Sequence, residues 1–272
     1  MSDAALPSTV VARPARLPGR ERLARVAIMA YAAASYLLFF GVLVYLIGFV
    51  GNWFVPRGID DGRVGGTGLS ILVNVALCLL FAIQHTIMAR PGFKRWWTQF
   101  VPPAAERSTF VLVASLCLVA LFWLWMPLPN VLWAVESPVA WWGLTALSAA
   151  GWTLALLSSF VISHVDLFGL RQAWLRFVGR PYVSLPFRVT GLYRVVRHPL
   201  MLGFLIAMWS APEMTLGRLI FAAMFTLHIV VGTRLEERDL IGAFGETYER
   251  YRRRVPSLLP WPRPRRLVRS GE

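Results

Sequence analysis

Four short stretches hold residue types that do chemistry, and each one abuts a long apolar run. The third of them in chain order, Gly191-Leu192-Tyr193-Arg194-Val195-Val196-Arg197-His198-Pro199, stands directly before an apolar segment. Pro199 suits the first position of a helix, where its missing N–H would be unpaired anyway. Arg197 and His198 then sit at the helix mouth, where free N–H groups and the dipole favour an anion and Arg197 suits a carboxylate. Gly203, one turn further in, permits close approach of a ligand or of another helix. The fourth stretch, Arg234-Leu235-Glu236-Glu237-Arg238-Asp239, runs on through Phe244-Gly245 to Tyr248, Tyr251 and Val255-Pro256. Acids at a helix C-terminus oppose the dipole. Continuation as an amphipathic helix, or a hydrogen bond accepted by Glu236 or Glu237 from a ligand or from Arg197, removes that objection.

The second stretch, Ser163-His164-Val165-Asp166-Leu167-Phe168-Gly169-Leu170-Arg171-Gln172, gathers His, Asp, Arg and Gln within ten residues. His164 and Asp166 form a charged pair, a turn or an acid–base site; the plainer alternative is a helix-end cap followed by a topogenic Arg. The first stretch is Gln84-His85, where the histidine either bonds a backbone carbonyl at the membrane interface or takes part in proton transfer. Asn74 suits helix–helix hydrogen bonding, and His228, alone on the last apolar run, reads as packing. No pair of histidines on facing helices is evident, which argues against haem. Cys78 and Cys117 lie within apolar runs and read as small hydrophobes rather than a disulfide, metal ligands or nucleophiles. No metal site is expected.

The elements that must position these residues are membrane helices. The chain of 272 residues is 57% hydrophobic with a mean hydropathy of +0.56, too apolar for an ordinary soluble domain. Crossing the hydrocarbon takes about 20 apolar residues. The runs 26–50, 69–88, 109–125 and 139–162 approach or meet that length. After the polar connection 163–197 come 199–211 and 215–233, which read as a hairpin with a short first arm. The formal charge of +14 would suggest nucleic acid in a soluble chain, but the basic residues flank apolar runs, so topogenic charge and anionic lipid account for it. Arg-rich and Arg-poor loops alternate strictly. The positive-inside rule then places both termini in the cytoplasm with an even number of crossings. The expectation is an all-α, polytopic transmembrane helical bundle of five to six segments. Its last two segments form a helical hairpin, followed by a cytoplasmic C-terminal helix. One domain covers 25–260, with its candidate chemistry at 163–260. Residues 1–24 read as a disordered or interfacial extension rather than a cleaved signal, and 261–272 as a basic, lipid-facing tail.

Arg197-His198-Pro199 with Gly203, then Glu236-Glu237, Phe244-Gly245, Tyr248, Tyr251 and Val255-Pro256, resemble the C-terminal cofactor region of isoprenylcysteine carboxyl methyltransferase-like membrane enzymes. Three further stretches resemble the methanethiol S-methyltransferase family within that group: Tyr45-Leu46-Ile47-Gly48-Phe49-Val50-Gly51-Asn52, the run from Gln84 to Lys94, and the run from Ser163 to Gln172. The likeness spans roughly residues 25–260. It implies methyl transfer from S-adenosylmethionine to methanethiol, giving dimethyl sulfide, in the cytoplasmic membrane of a bacterium. Under that resemblance Tyr193, Arg197, His198, Pro199, Gly203, Glu236, Glu237 and Tyr248 form the cofactor region. A thiol reacts as its thiolate, so a base is expected: His164 oriented by Asp166, with His85 and Tyr193 as the other candidates. The alternatives are methylation of another thiol or of a prenylated or lipid substrate, or a nicotinamide-dependent membrane reductase sharing the C-terminal region.

Overall fold

The computed structural model describes residues 18–260; the expectations for most of the N-terminal extension and for the basic tail lie outside the described residues. Among the described residues five helices are long and apolar enough to cross a membrane: α1 (Gly19–Gly51), α2 (Thr67–Ala89), α4 (Pro103–Leu124), α5 (Pro138–Ile162) and α9 (Leu216–Phe244). Between them lie α3 (Pro91–Trp97), α6 (His164–Leu167), α7 (Leu170–Phe177) and the short apolar α8 (Pro199–Trp209); α10 (Glu246–Arg254) follows α9. The fold is the all-α membrane bundle that the apolar runs require. Large apolar side chains such as Leu37, Leu72 and Trp142 are about two-thirds exposed, which is unfavourable in water and natural against lipid tails. Its innermost packing is aromatic. Phe49, Phe122, Trp125 and Phe221 meet with ring centroids 5.0–6.1 Å apart, and the buried Trp125 indole donates to Ile59 O at 2.9 Å.

The 11 residues of α8 reach about 16 Å at 1.5 Å per residue, against a hydrocarbon core of about 30 Å. The rest of that arm is extended. The strand β2 (Glu213–Thr215) pairs antiparallel with β1 (Val131–Ala134), Val131 opposite Thr215 and Ala134 opposite Glu213, so the non-helical backbone keeps its hydrogen bonds. What holds α8 in place is its partner α5. Gly151 and Ala155 on one helix face Gly203 and Ala207 on the other, each a small residue four positions from the next. A Cβ built on Gly203 would lie 2.5 Å from Ala155 N, and one on Gly151 would lie 2.6 Å from Ala207 N. The two backbones therefore touch, and Ser148 Oγ adds a hydrogen bond to Ala207 O at 2.9 Å. Close approach of another helix, one of the two partners anticipated for Gly203, is met by α5.

Polar side chains in the bundle finish helix ends. Asn74 bonds backbone rather than a facing side chain: its Nδ2 donates to Met126 O at 2.7 Å and its Oδ1 accepts from Met126 N at 2.9 Å. Arg57 donates to Trp123 O and Trp125 O at 2.7 and 2.8 Å. Together they satisfy backbone groups at and just beyond the end of α4. Asp60 ties the loop after α1 to the start of α9, accepting from Asn52 Nδ2, Thr215 Oγ1 and Arg218 Nε at 2.6–2.8 Å. Since Asn74 is fully buried, Asn74→Ala is expected to strand two backbone groups and cost about 2–4 kcal/mol. A thermal melt of the detergent-solubilised variant checks this.

Candidate active site

The N-terminus of α8 and the C-terminal half of α9 bring Arg197, His198 and Glu237 together out of solvent. Glu237 Oε1 accepts from Arg197 Nε at 2.8 Å and from His198 Nε2 at 3.1 Å, and lies 2.7 Å from Arg197 Nη2. With a carboxylate accepting, His198 Nε2 carries its proton. The anion that the helix mouth calls for is thus supplied by the chain itself. A strap after α10 closes the cluster: Arg197 N–H donates to Pro256 O at 2.8 Å and His198 N–H to Ser257 O at 3.1 Å. Arg197 Nη1 reaches Arg252 O and Val255 O. Glu236, half-exposed, lies 3.7 Å from His198 Nδ1.

The strap returns to α8 because α9 turns sharply at Gly245, whose φ of +53° and ψ of −132° suit only glycine. Beneath the turn, Phe187 meets Phe244, Tyr248 and Tyr251 with centroids 5.3–5.7 Å apart. The Tyr251 hydroxyl donates to Tyr193 O at 2.6 Å, and the Tyr193 hydroxyl reaches Ser158 O at 3.4 Å. Burial pushes the Tyr251 phenol up to about 12. Burial also raises Tyr248 and Tyr193, helped by the charges of Glu237 and Glu236 respectively. All three phenols stay neutral at physiological pH.

His164 is buried at the end of α5, but Asp166 does not orient it. Asp166 binds Arg171 at 2.9 Å and accepts from the Tyr182 hydroxyl at 3.3 Å, because within one helical turn two residues two apart point away from each other. The imidazole is held by Ser159 Oγ at Nδ1 and Tyr36 Oη at Nε2, each 2.8 Å away, and stacks on Phe160 at 4.2 Å. Ser159 already donates its proton to Leu156 O at 2.7 Å, so Nδ1 carries hydrogen and Nε2 accepts from Tyr36. Burial lowers the histidine below its usual value.

His228 packs among aromatic rings. Its ring meets His85 across α2 and α9 with centroids 5.4 Å apart, and Phe81 and Phe110 complete the box. The Arg90–Asp239 ion pair at 2.7 Å joins the same two helices at their ends. Tyr36, Ser159 and Ser257 were missed in the sequence. A tyrosine inside an apolar run, needing a hydrogen-bond partner, was the one available signal for Tyr36.

Fold and site together define a polytopic helical membrane protein with a buried Arg–His–Glu cluster where its last helices meet. No family model and no solved structure matches the chain. The chain is 50% identical over 232 residues to the methanethiol S-methyltransferase of Mycobacterium tuberculosis, covering 85% of this chain and 95% of that one. It is 52% identical over 237 residues to methanethiol S-methyltransferase 2 of Bradyrhizobium diazoefficiens, covering 87% and 91%. A more distant relative, mouse nurim, is 30% identical over 230 residues, covering 77% and 87%. The chain belongs to the methanethiol S-methyltransferase family.

Proposed function

We propose that the chain methylates methanethiol to dimethyl sulfide with S-adenosylmethionine, at the Arg-rich end of the bundle. The observation that carries this reading is the buried Arg197–His198–Glu237 cluster, closed by the 255–257 strap, in a chain whose relatives bear that activity in their names. Charge alternation supports a cytoplasmic orientation for that end and for both termini, and the bacterial relatives support a bacterial cytoplasmic membrane.

S-adenosylmethionine would supply an electrophilic methyl group on a sulfonium. The donor set fits such a cation-bearing zwitterion. Glu236 keeps a half-exposed carboxylate for an amine or ribose hydroxyls, and Tyr193 offers a neutral, half-buried aromatic ring to a sulfonium, while the fully buried Tyr248 backs the site. Arg197, His198 and Glu237 fix the mouth of α8 against α9 and the strap, so the pocket wall is set before ligand arrives. The thiol must lose its proton, and His164 has the acceptor nitrogen, Nε2, with Tyr36 at it. Tyr36 therefore stands between His164 and a thiol, accepting the thiol proton as it passes its own to Nε2.

Purified protein incubated with methyl-labelled S-adenosylmethionine and methanethiol should release labelled dimethyl sulfide into the headspace. Label transferred only to a long-chain prenyl thiol would overturn the substrate assignment. His164→Ala is expected to lower turnover about 100-fold, within the usual range for an acid–base group, with little change in donor affinity; Tyr36→Phe should follow in the same direction. Because burial depresses the His164 pKa, the base is competent above it, and the acid limb of the rate profile should fall below pH 6.5. An unchanged rate in His164→Ala removes it as the base.

A further inference from the structure

At the Arg-rich end, away from the Arg197–Glu237 cluster, the ends of α1, α4 and α7 enclose a cavity of about 770 Å³. Two of the stretches singled out in the sequence meet there: Lys94 ends the run that begins at Gln84, and Asp166 and Gln172 belong to the run from Ser163. Its charge is unbalanced. Arg25, Lys94, Arg107, Arg176 and Arg180 line it against Glu106 and Asp166. Arg25 and Arg176 share one carboxylate, Glu21, while Asp166 is held by Arg171. Among the described residues Lys94 forms an ion pair with Glu106 alone, at 3.9 Å, and burial, with Arg107 nearby, holds its ammonium below the usual range. Gly179, at φ +77°, lets the following loop close over Arg25; a Cβ there would lie 2.7 Å from the guanidinium.

Acceptors stand among these cations. Gln172 donates through Nε2 to Asp166 O, leaving Oε1 buried with no partner. A ligand for this mixture carries negative charge and also hydroxyl donors. The depth of the site is marked by α3 and the turn after it, where Phe93, Trp96, Trp97 and Phe100 cluster beside Lys94 with Trp96 and Phe100 exposed. Such aromatic groups sit at the headgroup level of a bilayer, so acyl chains descending from the cavity would run along them.

We propose that this cavity binds the headgroup of an anionic, hydroxyl-bearing phospholipid, of the phosphatidylglycerol class. The phosphodiester lies among Lys94, Arg107 and Arg180, and a glycerol hydroxyl donates to Gln172 Oε1. Nothing in this depends on which thiol the enzyme methylates.

The test is lipid retention by native mass spectrometry after transfer from mixed bilayers of phosphatidylglycerol and phosphatidylcholine. The intact protein should keep one phosphatidylglycerol in clear preference. A Lys94→Gln/Arg180→Gln variant should lose at least tenfold of that occupancy, and Gln172→Leu should narrow the preference, while Arg63→Gln in a loop at the opposite end should retain it. Equal retention of both lipids by the intact protein overturns the proposal. Equal phosphatidylglycerol occupancy in the double variant overturns it as well. Displacement of the lipid by glycerol 3-phosphate alone shows a site for free phosphate esters and overturns the lipid assignment. If the double variant does not fold, the intact-protein lipid preference and Gln172→Leu decide the matter.

Discussion

Glu237→Gln is expected to abolish nearly all methyl transfer, with turnover falling about 1000-fold. Removing one partner of a buried ion pair costs about 3–5 kcal/mol because the other charge is left uncompensated. Here two groups lose a charged partner, since Arg197 and His198 both donate to the same Oε1. The substitution keeps volume and leaves a neutral amide oxygen that can still accept hydrogen bonds, so gross collapse is not the expected route. Arg197 would stay tied to Arg252 O and Val255 O, but the mouth of α8 would no longer be locked to α9. Headspace dimethyl sulfide measures the rate, and calorimetry with S-adenosylhomocysteine measures the affinity. A variant with both within threefold of the parent would show that the cluster does not serve the reaction. Glu236→Gln, by contrast, should weaken cofactor binding more than it disturbs the fold, because Glu236 is half-exposed and only loosely faced by His198.

The second large effect falls where no chemistry is done. Gly203→Leu should yield no properly packed protein. The Cβ alone would sit 2.5 Å from Ala155 N and 2.6 Å from Gly151 O. Those atoms are helix backbone and cannot swing aside as a flexible side chain would. In a membrane there is no hydrophobic drive between helices, so α8 depends on close van der Waals contact with α5. Forced apart, α8 would carry Arg197 and His198 out of register with Glu237. Size-exclusion behaviour in detergent and protease resistance of the 199–260 region are the measurements. Gly203→Ala already places that Cβ and should show a milder form of the same defect. By contrast Gly143, which has open space where its Cβ would be, should accept alanine without loss.

Much of the fold was written in the composition of the runs. Of the six apolar runs, five became helices long and apolar enough to cross a membrane. Pro199 and the short run at 199–211 each marked a boundary that the backbone obeys, since their constraints are local; the break at Gly245, where the sequence suggested continuation, did not stand out. Pairing of Arg197 with Glu237 was legible as one of two options for a carboxylate that opposed its helix dipole. What proximity in sequence could not supply was the partner of each remaining polar group. Asp166 looked like the orienting acid for His164 because it is two residues away, yet a helical turn directs the two side chains apart. Distant residues took the roles instead: Tyr36 from α1 and Ser159 from one turn earlier hold His164, and Arg171 holds Asp166. His85 and His228, separated by most of the chain, meet only because α2 packs on α9.

The sequence by itself determined that this is a multi-helix membrane protein with ionic residues gathered at one end, because hydropathy and charge act residue by residue. Only the tertiary structure decided which of those residues touch. A hydrogen bond inside a membrane bundle is chosen by which helix faces pack together, and that depends on contacts such as Gly151 against Gly203 that no local pattern specifies.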